Sequence, residues 1–162
     1  MSHAVVFRAG VPEAPFQRGV EEAAYLFADA HRPARRQGRM DAIFAAPTLA
    51  AVGRWVRGAA ACHVEDLKVR QLTVEASTVY VYDIILWERA VATMDPEVMC
   101  EYWDSGQPLN VWVTQNLDGE DWEVLLGSSE ILGIRPVSME RVVAAQTDHY
   151  YDAETKRLLK RW

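Results

Sequence analysis

Cysteine and histidine are scarce in this chain. The two cysteines, Cys62 and Cys100, lie far apart in apolar surroundings. They read as small buried hydrophobes of a reducing compartment, not as a disulfide pair. The four histidines, at positions 3, 31, 63 and 149, never fall at metal-ligand spacing, and no cysteine knuckle accompanies them. No metal is expected. Glycine-rich phosphate loops of either common spacing are missing too, as is a Gly-x-Ser-x-Gly nucleophile turn. This argues against ordinary nucleotide hydrolases, dehydrogenases and serine hydrolases. No run approaches the roughly 18 apolar residues of a membrane span, and Met1-Ser2-His3-Ala4 does not begin a secretory signal. The expectation is a soluble, cytoplasmic protein without membrane partners. Positive charge is in deficit as well. A net charge of −6 argues against a surface that coats polyanions, although a local basic cluster could still dock one phosphate group.

What the chain does have is core material. Half of its 162 residues are apolar, and six Trp, six Tyr and four Phe are enough to fill a core and line a pocket. Ala4 to Phe7 reads as a strand ending in Arg8-Ala9-Gly10. Val20 to His31 has helical amphipathic spacing. A basic loop follows, with four arginines in the eight positions from Arg32 to Arg39. Asp41 to Ala46 reads as a strand, and Pro47 opens a helix to about Arg57. Val69 to Val74 alternates as a strand with one wet face. Thr78 to Trp87, rich in β-branched and aromatic residues, reads as a central strand. Asp95-Pro96 caps a helix that ends near Asp104-Ser105-Gly106. Leu109 to Val113 suits strand or helix. Glu123–Leu126 and Ile131–Ile134 read as a final strand pair, followed by a helix from Met139 to Gln146 and a helical tail toward Trp162. The fold class expected is α+β, with a mainly antiparallel split β-sheet core and flanking helices.

Four segments carry candidate chemistry. Arg8 closes the first strand. Arg36 and Arg39 precede the strand-then-helix stretch from Asp41 to Trp55. Tyr102-Trp103 ends the middle helix. Glu123 opens Trp122-Glu123-Val124-Leu125-Leu126. Taken alone each has an ordinary explanation. A glutamate starting a strand is usually a solvated edge residue. An arginine at a strand end is a surface cation in a weak ion pair. The basic loop is a solvated loop, Trp55 is a packing residue, and one of Tyr102 and Trp103 belongs to the core.

In this order, however, the segments resemble the ADP-ribosyltransferase-like superfamily, over about residues 4 to 135. Members of that family place Arg or His at the end of the first strand, a strand followed at once by a helix, and a Glu at a late strand with Val-Leu-Leu after it. The resemblance implies a domain over residues 1–137 with a C-terminal helical extension over 138–162. It implies NAD as substrate, no metal, and departure of nicotinamide through an oxocarbenium-like state. Glu123 would then stabilise the developing cation. Arg8, with Arg36 or Arg39, would hold the pyrophosphate in a bidentate fork. Phe44, Tyr102 or Trp103 would offer an aromatic face to the cationic nicotinamide ring. The implied activity is transfer of ADP-ribose to a macromolecule, protein or nucleic acid. The alternatives are NAD glycohydrolysis, or a catalytically inactive module that binds a nucleotide or a partner on the same fold. Small stand-alone domains of this kind are often toxins or phage effectors, which implies an antitoxin or inhibitor protein as a partner. The chain departs from the pattern at two points. Phe44-Ala45-Ala46 stands where a Ser-Thr-Ser triplet is common. Asp121, one methylene shorter than Glu, stands two positions before Glu123, which leaves the acceptor open.

Overall fold

Phe7 and Ala46 join the two sheets through their backbones. In the computed structural model, which describes residues 2–10, 20–56, 67–115 and 121–145, these two residues form an isolated antiparallel bridge. Phe7 N donates to Ala46 O at 2.9 Å, and Ala46 N donates to Phe7 O at 2.6 Å. On one side of the bridge lies a three-stranded antiparallel sheet. Its order is β1 (His3–Gly10), β3 (Lys68–Glu75), β7 (Ile131–Val137). On the other lies a four-stranded antiparallel sheet, ordered β2 (Ile43–Ala45), β6 (Trp122–Leu126), β4 (Tyr80–Asp83), β5 (Gln107–Pro108). Among the described residues, and apart from the helical residues 53–56, the α-helices are α1 (Val20–Ala30), α2 (Ile84–Thr93), α3 (Pro96–Asp104), α4 (Leu109–Trp112) and α5 (Met139–Ala144). The fold is α+β with two antiparallel sheets.

The bridge is a single rung. Continuing its register would set Ala9 opposite Phe44, but the strands part there. The Phe44 carbonyl accepts instead from Arg8 Nη1 at 3.2 Å. A side chain thus satisfies a backbone acceptor that a longer ladder would have used.

Strand alternation sorts the core into layers. Val6, Leu72 and Val74 of the three-stranded sheet meet Ala45, Val81, Val124 and Leu126 of the four-stranded sheet. The outer face of the three-stranded sheet carries Phe7, Val69 and Val137, covered by Val52, Val56 and, from α5, Val142. The opposite face of the four-stranded sheet packs Leu125, Tyr82 and Phe44 against Ala28 of α1, Ala90 of α2, and Met99, Tyr102 and Trp103 of α3. Glu123 shares its parity with Leu125, so it too faces the helices.

Several elements differ from expectation. The single strand over Thr78 to Trp87 is split, with β4 ending at Asp83 and α2 starting at Ile84. The Asp83 carboxylate accepts from Ile85 N at 2.8 Å and Leu86 N at 3.3 Å, an N-cap that outweighs the strand propensity of the isoleucines. α2 is closed after Thr93 by Met94, which takes a left-handed conformation. Of the helix expected from Pro47, only residues 53–56 are helical among those described. Thr48 Oγ1 accepts from Ala51 N at 3.1 Å and holds a turn there instead. Residues 109–112 settle as helix. β7 runs through Pro136, which an edge strand tolerates because its outer side needs no N–H. Cys100 is exposed rather than buried, because α3 turns Met99, Tyr102 and Trp103 inward and Cys100 outward. Cys62 and the helical tail toward Trp162 lie outside the described residues. Among the described residues no helix is long and apolar enough to cross a membrane.

Leu126 is fully buried between the sheets, whereas Ile134 on β7 is 60% exposed. Leu126→Ala is expected to cost about 2–5 kcal/mol in urea unfolding. Ile134→Ala should stay within about 0.5 kcal/mol. Equal costs would contradict this layering.

Candidate functional site

The turn between α1 and β2 is what brings a cation inside. Asp29, near the end of α1, accepts from the backbone N–H of Arg39 at 2.7 Å and of Met40 at 3.2 Å. Gly38 makes the close approach possible, since a Cβ there would lie 2.8 Å from Asp29 Oδ2. Pinned in this way, Arg39 directs its side chain under the helices, where Glu123 projects from β6. The two form a salt bridge. Arg39 is 3% exposed and Glu123 4%, the buried charged residues among those described.

Tyr102 closes the cluster from α3. Its hydroxyl accepts from Arg39 Nη1 at 2.6 Å and donates to Glu123 Oε1 at 2.8 Å. Aromatic rings enclose the guanidinium. Its Cζ lies 3.5 Å from the Trp87 centroid, 4.9 Å from Phe44, 5.0 Å from Tyr25 and 5.5 Å from Tyr102. A carboxylate and an aromatic box together hold one flat, delocalised cation.

The electrostatics follow from burial. Desolvation opposes the charge on Arg39 most strongly, yet the attraction of Glu123, with Tyr102 and Tyr25, leaves its pKa raised above the ordinary arginine value. Burial first, and then the charge of Glu123, hold the Tyr102 phenol well above the usual tyrosine range. Burial likewise raises Tyr82, partly offset by a hydrogen bond from Arg36. Arg39 Nε is buried without a partner.

Of the residues singled out from the sequence, Arg39, Phe44, Tyr102 and Glu123 come together in this box. Arg36 stands one layer away. Its Nη1 donates to Tyr82 OH at 3.2 Å and its Cζ lies 3.7 Å from the Tyr80 centroid, while Tyr82 stacks on Tyr102 at 5.2 Å. Trp103 packs edge-on against Tyr102 at 5.2 Å and donates its indole N–H to Ala28 O at 2.9 Å, so it backs the box without lining it. Arg8 remains at the split between the sheets, joined to the box only through the Phe44 carbonyl. Asp121 is exposed and accepts from Arg54 Nη1 at 2.8 Å. Sequence reasoning did not single out Tyr25, Trp87 or Tyr82. Trp87 falls in the stretch read as a strand, and only its position on α2 turns it toward Arg39.

An open polar cleft of about 400 Å³ adjoins the same turn, lined by Asp29, Arg32, Gln37, Asp41, Ser128 and Ser129 among others. It lies at the far end of β6 from Glu123, and one of its walls, Gly38, immediately precedes Arg39. No known protein family, curated protein or solved structure matches the chain. The functional reading therefore rests on the residues and their geometry.

Removing one partner of a buried ion pair strands the other. Glu123→Leu and Arg39→Met are each expected to cost about 3–5 kcal/mol in denaturant unfolding, and the double substitution should recover most of the loss. Strictly additive costs would show that the two charges do not stabilise each other. The raised pKa of Tyr102 gives a second expectation. A raised folded pKa contributes stability fully below the unfolded tyrosine value of about 10, and that stability is lost as pH climbs toward the folded value. From about pH 9 to about pH 11 the wild type should therefore lose stability more steeply than Tyr102→Phe. Parallel slopes would contradict the burial of the phenol.

Proposed function

We propose that this chain is an NAD-dependent mono-ADP-ribosyltransferase in which Glu123 is the catalytic carboxylate. The observation that carries the reading is the aromatic box with a single carboxylate, filled by the flat cation of Arg39. The nicotinamide ring of NAD is also a flat cation, and a site that holds one suits the other. The split antiparallel sheet and the late-strand position of Glu123 agree with the resemblance to the ADP-ribosyltransferase-like superfamily.

In this reading NAD enters by exchange. Arg39 leaves the carboxylate for the pyrophosphate, which suits its planar fork, and nicotinamide takes its place among Trp87, Phe44 and Tyr25. The bond between the ribose C1′ and the ring nitrogen breaks, and its electron pair leaves with neutral nicotinamide. Glu123 stabilises the oxocarbenium-like ribose. A nucleophile of the macromolecular acceptor then bonds to C1′ and gives up its proton to solvent. Water in the acceptor's place gives NAD glycohydrolysis. Arg36 and Arg8 are further candidates for the pyrophosphate.

A second reading has its own support. Glu123 is 4% exposed and already neutralised, which suits a module that binds a nucleotide or a protein partner without turnover.

Incubation with NAD labelled in both halves separates these readings. The proposal expects nicotinamide release, with the adenine label fixed to a macromolecule for transfer, or free ADP-ribose for hydrolysis. Glu123→Gln, shown to be folded by near-ultraviolet circular dichroism, should release nicotinamide about a hundredfold more slowly or worse. NAD binding with no release favours the silent module. Release at the wild-type rate by Glu123→Gln removes that residue from catalysis.

A further inference from the structure

Arg8 and Arg70 stand directly opposite each other in the β1–β3 ladder. Residues so placed have Cβ atoms about 4.5–5.5 Å apart, and like charges there repel. By strand parity both lie on the face that carries Val6 and Leu72, turned toward the four-stranded sheet. Lys68, opposite Gly10, lies on the same face one step further on. Three cations therefore cluster at the end of one ladder, in a chain whose net charge is −6.

Nothing described answers this charge. Among the described residues no carboxylate forms an ion pair with Arg8, Lys68 or Arg70. The Arg8 guanidinium makes one hydrogen bond, to the Phe44 carbonyl at 3.2 Å, which fixes the fork at the wedge where the sheets part. Its remaining donors have no partner among the described residues. Arg8 is half-buried while Arg70 is exposed, so one guanidinium is held in place and the other can close on a ligand from the solvent side.

We propose that Arg8 and Arg70 form a binding site for a phosphate or diphosphate group at this wedge. Two guanidiniums side by side match the oxygens of such a group through charge-assisted, bidentate hydrogen bonds. An anion between them also turns the cross-strand repulsion into attraction. Burial and the neighbouring Arg70 lower the pKa of Arg8, the direction expected of a cation that lacks a counter-charge. The site extends the role that the resemblance gives to Arg8 onto Arg70, which carries no part of that resemblance. It does not depend on NAD turnover.

Inorganic pyrophosphate is the probe. Its binding to the full chain is measured by calorimetry and by thermal shift, against sodium chloride at matched ionic strength. The site predicts saturable binding with a rise in Tm, and at least a tenfold loss of affinity in Arg70→Gln. Because Arg70 is exposed and its loss relieves the cross-strand repulsion, that variant should have a ligand-free Tm no lower than that of wild type. Arg8→Lys, which keeps the charge and a donor but loses the fork, should weaken binding as well. If pyrophosphate competes with NAD, the site serves the dinucleotide; if both bind together, it serves a separate phosphate ligand, and in either case the site stands. Wild-type protein that fails to bind pyrophosphate, or Arg70→Gln that binds it as well as wild type, overturns the proposal. A failure of nicotinamide release would bear on Glu123 and leave this result untouched.

Discussion

A charge taken out of water must be answered on the spot, and the ion pair of Arg39 and Glu123 sets the terms for the structure around it. Desolvating both groups costs several kcal/mol each in a protein interior. That cost is tolerable only with close contact and further polar partners, and Tyr102 bonds both members. The geometry in turn fixes the surroundings. Asp29 has to hold the backbone at Arg39, Gly38 has to lack a side chain, and α3 has to set Tyr102 above β6. A change in any of these leaves a buried charge with poorer company.

The same arrangement links the split between the sheets to the aromatic box. The bridge between Phe7 and Ala46 is short, so the sheets part beside it, and Arg8 marks the opening. Two residues before Ala46, on β2, Phe44 turns its ring into the box and its carbonyl toward Arg8. Phe44 thus touches both Arg39 in the box and Arg8 at the opening. In the proposed exchange the box takes the nicotinamide ring and Arg39 moves with the diphosphate. In the resting arrangement, however, the box is full. Any ligand that needs Glu123 must displace Arg39 and compensate for the pair it breaks.

Much of the architecture was legible because alternation and capping are local signals. The strand over Val69 to Val74, the Asp95-Pro96 helix start and the apolar stretch after Glu123 all appear at those places in the structure. The single wet face does not: Val69 has the opposite parity from Leu72 and Val74, so both faces of that strand carry core. The division of Thr78 to Trp87 into strand and helix was missed, because β-branched and aromatic residues dominated the reading and outweighed the local cap signal of Asp83, which bonds residues two and three positions on. That error also hid Trp87. The candidate residues were read from strand position and resemblance, whereas their pairing joins positions 84 apart in sequence. No local pattern signals that Arg39, rather than its neighbours in the basic loop, reaches Glu123. Arg36 and Arg39 look alike in the sequence, yet one lies over Tyr80 and the other is sealed inside.

The central claim is that the aromatic box around Arg39 is a ligand site and not only a packing solution. A crystal structure with a non-hydrolysable NAD analogue tests it most directly. The account predicts the nicotinamide ring among Trp87, Phe44 and Tyr25, the Glu123 carboxylate on the ribose, and the Arg39 guanidinium moved onto the diphosphate. An analogue bound elsewhere, with Arg39 still paired to Glu123, would contradict it.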